Sequence, residues 1–239
     1  MLRRGVVWVL SNARLVARTR TLVADAGNCG VAGGGEEDKR AKRVFKKMRG
    51  TGDKGQSSLF SGERRWKDDS VFEALGSCDE LSCLLGIVRE HMDSHGLFDL
   101  VENITAIQCD LQDIMAHLAT PRDCGHPRLI ERTQFDESQI DVIDSWIDDY
   151  ARDLPELAQF ILPGGGLLTA HVHNARAVCR RAERRVAAIV RQEQAESTVL
   201  RYLNRLSDFL FVVGRYSCYA LDRQEIPYKK ARHKDSTQK

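Results

Sequence analysis

Five separate stretches of the chain space their apolar residues three and four positions apart. Each stretch therefore carries one apolar stripe that must be buried against another, and no other feature limits the fold as strongly. The first opens at Ser70, where Ser70-Val71-Phe72-Glu73 reads as a capping box. It continues through Val71, Leu75, Cys78, Leu81, Leu85 and Val88 until His91, His95 and Gly96 close it. The second runs from about Leu97 to a stop at Thr120-Pro121, with Val101, Ile104, Gln108, Leu111, Met115 and Leu118 on one stripe. Only Gln108 interrupts that apolar face. Residues 121–134 read as a loop, after which Phe135, Asp136, Gln139 and Ile140 supply a capping pair and a hydrophobic staple. The helix they start carries Ile140, Ile143, Ile147 and Tyr150, and Pro155 lies in its exit loop. A fourth helix, from about Thr169 to Arg191, aligns Val172, Ala175, Cys179, Ala182, Val186 and Ile189. A fifth, from about Val199 to Leu221, aligns Leu203, Leu206, Leu210, Val213 and Ser217. No stretch alternates with period two for long enough to demand a strand. The expected fold is all-α, a five-helix up-and-down bundle.

Upstream of the first helix, GTGDKGQSS (residues 50–58) matches G-x-G-x-x-G letter for letter. A dinucleotide fingerprint needs a buried strand before the first glycine and a helix starting at the last. RVFKKMR precedes it here and QSSLFSGERRWKDD follows, and neither fits. A P-loop does not fit either, because no lysine follows the last glycine. What remains is three glycines that let backbone N–H groups approach an anion, with Lys54 as a charge and Thr51, Ser57 and Ser58 as donors. The same composition also serves an ordinary turn.

The fourth helix concentrates charge. At about 100° per residue, His173, Arg176, Arg180, Glu183 and Arg184 fall within an arc of about 100°, opposite the apolar positions. Such an arc is either a solvated face with i,i+4 pairs or an anion site, since three arginines at i, i+4 and i+8 repel one another unless acids or a ligand lie opposite. On the fifth helix Asn204, Asp208 and Arg215 share a polar arc of about 40° and suit either surface hydrogen bonding or ligand contact. FILPGGG (Phe160–Gly166) is either a flexible turn or a backbone that passes close to a bulky planar ligand with Phe160 against it. His171 and His173 point to different helix faces, and His91 and His95 sit near a helix C-terminus, so no protein-ligated metal site is expected.

Charge and cysteine usage narrow the setting. Residues 1–24 carry Arg3, Arg4, Arg14, Arg18 and Arg20 and no acid, which reads as a mitochondrial transit peptide, with a disordered basic tail or a membrane-surface helix as alternatives. Without those arginines the chain holds 31 basic and 34 acidic residues, so nucleic acid is not an expected partner. No run approaches the roughly 18 uncharged apolar residues of a membrane span, so no membrane partner is expected. Seven cysteines (Cys29, Cys78, Cys83, Cys109, Cys124, Cys179 and Cys218) stand singly and suit a reducing compartment; the four in helical patterns, Cys78, Cys109, Cys179 and Cys218, are expected to pack as small apolar groups. The expected organisation is a transit peptide and disordered linker at 1–38, a helical domain at 39–225 and a polar tail at 226–239.

Three groups of stretches, in order along the chain, resemble the PduO-type ATP:cob(I)alamin adenosyltransferases over residues 51 to about 220: TGDKGQSSLFSGERRWKDD with VFEALGSCDEL, FILPGGG with ARAVCRRAERRV, and YLNRLSDFLFVVGRY. The resemblance implies a five-helix bundle with an N-terminal nucleotide-binding loop, assembled as a homotrimer with active sites between subunits in the mitochondrial matrix. It implies transfer of the 5′-deoxyadenosyl group of ATP, accompanied by Mg2+, to cob(I)alamin. Thr51, Gly52, Ser57, Ser58, Lys67, Arg180, Arg181, Glu183, Arg184 and Asn204 would hold ATP, with Arg180, Arg184 and Lys67 stabilising the departing triphosphate. Phe160 would pack under the corrin, and Asp79 would pair with Arg176 across a subunit boundary. A Co(II) reductase and an adenosylcobalamin-dependent mutase are the implied partners. Arg49-Gly50 departs from the Thr-Lys or Thr-Arg usual in the family. The competing readings are a non-catalytic cobalamin-binding escort and a helical module whose arginines bind acidic partners.

Overall fold

The structure, a computed structural model, describes residues 50–124 and 126–230. The Arg-rich segment, the rest of the expected transit peptide and linker to residue 38, and residues 231–239 of the expected tail lie outside the described residues. A hairpin of β1 (Gln56–Ser58) and β2 (Arg64–Trp66) leads into α1 (Ser70–Ser94) and then α2 (Phe98–Leu118). A 3₁₀ turn (Arg122–Cys124), a short α3 (Pro127–Arg132), α4 (Ser138–Ala151), β3 (Ile161–Leu162), α5 (Leu167–Arg191), α6 (Ser197–Ala220) and β4 (Ile226–Pro227) follow. α5 packs between α1 and α6, with α2 against α1 and α4 against α6. Two polar links join α2 to the far side of the bundle. The Tyr202 hydroxyl of α6 donates to Asp110 Oδ2 at 2.7 Å, and Asn103 Nδ2 donates to the Tyr150 hydroxyl of α4 at 3.0 Å. No helix among the described residues is long and apolar enough to cross a membrane.

The five expected helices are α1, α2, α4, α5 and α6. Every stripe position predicted on α5 and α6 is buried. At about 1.5–3 kcal/mol for each fully buried large aliphatic side chain, these stripes supply the main drive to fold.

Several local expectations need correction. Asp69, not Ser70, caps α1, its Oδ1 accepting from Val71 N at 2.8 Å; two good capping residues stand side by side, and the helix takes the earlier one. On α2 the buried stripe is Leu100, Ile104, Ile107, Leu111, Ile114 and Leu118, rotated by about one residue from the expected one. Both stripes obey helical spacing, and the one richer in Leu and Ile goes inward. Gln108 therefore lies at the seam with α1, where its Nε2 donates to Ser82 O at 2.9 Å. Residues 121–134 are not a plain loop, since Pro127 opens α3 at a position that needs no N–H donor. Glu137 is the N-cap of α4 and makes no side-chain cap bond, while Asp136 just before it accepts from Ser138 N at 3.0 Å; Phe135 is buried edge-on to Tyr202 with ring centroids 5.0 Å apart. The strands have two or three residues each, too few to leave a period-two pattern.

Candidate active site

α5 holds four arginines within six residues, and the bundle treats them in two ways. Arg181 forms an ion pair with Glu80 of α1, and Arg185 Nη1 lies 2.9 Å from Glu73 Oε2 one helical step away. Arg180 and Arg184 stay exposed on the outer arc, and among the described residues neither guanidinium meets a carboxylate. Arg184 Nη1 instead donates to the main-chain Arg180 O at 2.9 Å, which folds the Arg184 side chain back along the helix toward Arg180. On the α6 side, Asn204 Nδ2 donates to Glu183 Oε1 at 2.9 Å and fixes the carboxylate beside this uncompensated charge. Like charges at i,i+4 disfavour an empty helix face, so the arrangement suits a polyanion. A cleft of about 340 Å³ opens beside the Glu183–Asn204 pair, lined also by Asp141, Asp144, Arg201 and Arg205. Its mixed charge, with Arg205 Nε 2.7 Å from Asp144 Oδ1, suits a polyanion less well than the outer arc does.

The glycine stretch forms the β1–β2 hairpin. Gly55 has φ +79° and lies so close to the Trp66 indole that a Cβ would sit 3.2 Å from the ring. Lys67 N donates to Gly55 O at 2.9 Å, closing the strand pair below an exposed Lys67 side chain. Ser57 is half-buried and Ser58 exposed. Leu59 is buried, and Phe60 N donates to Ala119 O at 2.9 Å, which anchors the hairpin at the C-terminal end of α2. The chain divides between Gly52 and Asp53, and Thr51 and Gly52 lie on the N-terminal side of that division.

Phe160 precedes β3 and is 83% exposed. β3 pairs antiparallel with β4, and Tyr228 N donates to Phe160 O at 2.8 Å. Leu162, Leu167, Ile226 and Tyr228 are exposed around the same hairpin, giving an apolar surface at the N-terminal end of α5. The β1–β2 hairpin sits at the other end. α1 and α5 run antiparallel, as the Glu73–Arg185 and Glu80–Arg181 pairs and the stacking of His91 on His171 at 5.2 Å require. Arg180 lies about 20 Å along α5 from Leu167 and about 16 Å from Arg191 at 1.5 Å per residue. A single chain therefore brings together Glu183, Asn204, Arg180 and Arg184, but not Lys67 and Phe160.

Asp79 is exposed on α1. Arg176 is half-buried with its guanidinium 5.6 Å from the Phe211 ring centroid, and its Nε is buried without a hydrogen-bond partner. Within the chain no ion pair joins Asp79 and Arg176 among the described residues.

Arg215 does not belong with Asn204 and Asp208. It is only 8% exposed, its Nε donating to Glu225 Oε1 and its Nη2 to Pro155 O, both at 2.8 Å. Two further polar residues gave no sequence signal because their partners are remote. His117 is buried; its Nδ1 lies 3.0 Å from Thr133 O and its Nε2 accepts from Glu196 N at 3.1 Å, so the ring is neutral and burial lowers its pKa. Burial raises Asp110 to about 6, partly offset by the Tyr202 bond. Cys78, Cys179 and Cys218 are buried as small apolar groups, with burial pushing Cys78 up to about 12, whereas Cys109 is exposed on α2. Among the described residues no three His, Cys, Asp or Glu side chains gather as a metal ion would need.

Comparison with known proteins completes the description. The family profile described as Cobalamin adenosyltransferase matches residues 48–217. The chain is 45% identical over 203 residues to mouse corrinoid adenosyltransferase MMAB, covering 82% of this chain and 85% of that one. It is 39% identical over 166 residues to the Bacillus subtilis corrinoid adenosyltransferase, covering 69% and 82%. A solved structure of a variant PduO-type ATP:corrinoid adenosyltransferase from Lactobacillus reuteri, complexed with cobalamin and ATP, superposes with a TM-score of 0.70 at 33% identity, covering 77% of this chain and 99% of that one. With the profile spanning well over half of the sequence, and with relatives and a solved structure that carry the same activity in their names, the chain belongs to the cobalamin adenosyltransferase family.

Proposed function

We propose that this chain transfers the 5′-deoxyadenosyl group of ATP to cob(I)alamin, giving adenosylcobalamin and triphosphate. The observation that carries the reading is the division of the α5 arginines, Arg181 and Arg185 neutralised by α1 and Arg180 and Arg184 left to a ligand. In the reaction the cobalt lone pair attacks C5′, a Co–C bond forms, and the C5′–O bond breaks with its electrons leaving on triphosphate. No proton has to be abstracted, so the site needs cations rather than an acid–base dyad. Arg180, Arg184 and Lys67 stabilise the charge that gathers on the departing triphosphate, together with the Mg2+ that accompanies ATP. Thr51, Gly52, Ser57, Ser58, Glu183 and Asn204 complete the ATP contacts, whereas the contact expected from Arg181 requires its guanidinium to leave Glu80. Phe160 lies against the lower face of the corrin and keeps water and the base from cobalt, which eases reduction of Co(II).

The protein assembles as a homotrimer in which the exposed Asp79 of one protomer pairs with Arg176 of the next. The remote placement of Lys67 from Phe160 in one chain supports sites shared between protomers. The Arg-rich start supports a mitochondrial matrix location, with residues 1–38 as transit peptide and linker, 39–225 as the catalytic domain and 226–239 as a tail; a Co(II) reductase supplies the substrate and a mutase takes the product.

The test is anaerobic formation of adenosylcobalamin from cob(I)alamin and ATP, followed by absorbance. Arg180→Ala should abolish turnover while the helical signal stays intact. Full activity in that variant ends the proposal, and corrinoid binding without ATP consumption by the parent protein would favour an escort.

A further inference from the structure

Phe160 is held in an unusual way. Its side chain is 83% exposed, so packing does not fix its position, which is set by the main chain around it. That main chain is a strap: β3 follows Phe160 directly and pairs with β4 over only two residues, Ile161 with Pro227 and Leu162 with Ile226. A two-residue ladder is too short to be stable alone. The strap packs closely on itself and on α6, since a Cβ on Gly164 would come 2.6 Å from Ile226 Cδ1 of β4, and one on Gly165 2.6 Å from Cys218 Sγ of α6. Its buried charged tie is Arg215. From inside α6 this side chain reaches Pro155 O, five residues before Phe160, and Glu225, the residue before β4. One guanidinium thus grips both flanks of the segment that carries the aromatic ring, and the planar fork allows this where a lysine, a single point charge, would hold only one flank.

We infer that Arg215, with Glu225, is a positioning residue for the reaction: its clasp sets the height of Phe160 against the corrin. The inference rests on the reading of Phe160 given above. It concerns a residue that touches neither substrate and lies at the end of the bundle remote from the β1–β2 hairpin. A loosened clasp leaves the α5 arginines in place and lets the ring drift, and misplacement of a reacting surface by about an ångström costs up to about a hundredfold in rate.

The experiment compares full-length parent, Phe160→Ala, Arg215→Met, Arg215→Lys and Glu225→Ala. Cob(II)alamin is added anaerobically with ATP, and the absorbance change that reports loss of the lower axial ligand is recorded beside kcat and the KM for ATP. Arg215→Met should lower that spectral amplitude and reduce kcat about tenfold or more, with the KM for ATP within about twofold of the parent. Arg215→Lys should fall between Arg215→Met and the parent. Glu225 is partly exposed, so Glu225→Ala leaves the core untouched; it should shift both readouts the same way and carries the test if Arg215→Met does not fold. Parent-like amplitude and kcat in Arg215→Met or Glu225→Ala, with Phe160→Ala impaired, overturns the clasp and leaves the reading of Phe160 standing. Parent-like behaviour of Phe160→Ala overturns that reading, and the clasp with it.

Discussion

Replacing Asp110 by Asn should make the protein more stable at neutral pH, by an amount that depends on pH in a defined way. Asp110 lies on α2 with the Tyr202 hydroxyl of α6 2.7 Å away, and the nearby charges are Asp113 on the same helix and Asp136 before α4. Burial is the main cause of its raised pKa, about 6 against an ordinary 3.8. A raised carboxylate pKa means the folded chain holds a proton that the unfolded chain has lost between these values. Stability therefore falls as pH rises through that window, by up to about 1.4 kcal/mol per unit, and then levels off. The ionised carboxylate costs the fold about 1–3 kcal/mol above pH 7. Asparagine keeps an acceptor for the Tyr202 hydroxyl and removes the charge. Denaturant midpoints at fixed protein concentration from pH 4 to 8 should show Asp110→Asn gaining on the parent across the window and holding that gain above pH 7. Buried His117 and His173 titrate in both proteins and cancel in the difference. A difference that is independent of pH, or that favours the parent at pH 8, refutes the reasoning.

The α5 arginines should divide in activity as they divide in structure. On the proposed function, Arg184→Ala should lose a charge-assisted phosphate contact worth about 1.5–3 kcal/mol, or about ten- to a hundredfold in kcat/KM. Arg185→Ala gives up an exposed ion pair worth at most about 1 kcal/mol of stability and should stay near parental turnover. Two neighbouring glycines should differ as well. Gly165→Ala combines a φ of +90° with a Cβ 2.6 Å from Cys218 Sγ, whereas Gly166→Ala, at φ +118° with nothing within 4 Å, bears backbone strain alone. Thermal unfolding should rank Gly165→Ala below Gly166→Ala, each losing on the order of 1–3 kcal/mol.

How much of this was legible depends on the range of the interactions. The stripes of α5 and α6 could be read because helical spacing is local and all their members go inward. The α2 stripe was misread by one residue because Ile104, Leu111 and Leu118 satisfy both registers, and only packing against α1 decides between them. The arginine arc was visible, but its division was not: Glu73 and Glu80 precede Arg185 and Arg181 by about a hundred residues, and periodicity on one helix says nothing of its neighbour. Arg215 was misplaced for the same reason, since its partners follow from a chain that folds back on itself. The glycine stretch leads into a strand rather than a helix, and the hairpin it forms is too short for any strand pattern to show.

The order of features along α5 gives the proposed site a direction. Phe160 stands at the N-terminal end, Arg180 and Arg184 near the middle, and the β1–β2 hairpin with Lys67 beyond the C-terminal end, about 16 Å past Arg180. A reaction that runs from a corrin against Phe160, through C5′, to a triphosphate on the arginines draws on features about 20 Å apart along α5. On the proposal that sites lie between protomers, Lys67 acts on the arginines of another protomer. Two inactive proteins can test this. When Lys67→Ala and Arg180→Ala chains are unfolded together in equal amounts and refolded, an intact Lys67 meets an intact Arg180 in about a quarter of the sites shared between protomers. Turnover should therefore recover to about a quarter of the parental level, while each variant refolded alone stays inactive. If both residues serve one chain, mixing restores nothing, because every chain then carries a broken site whichever neighbours it has.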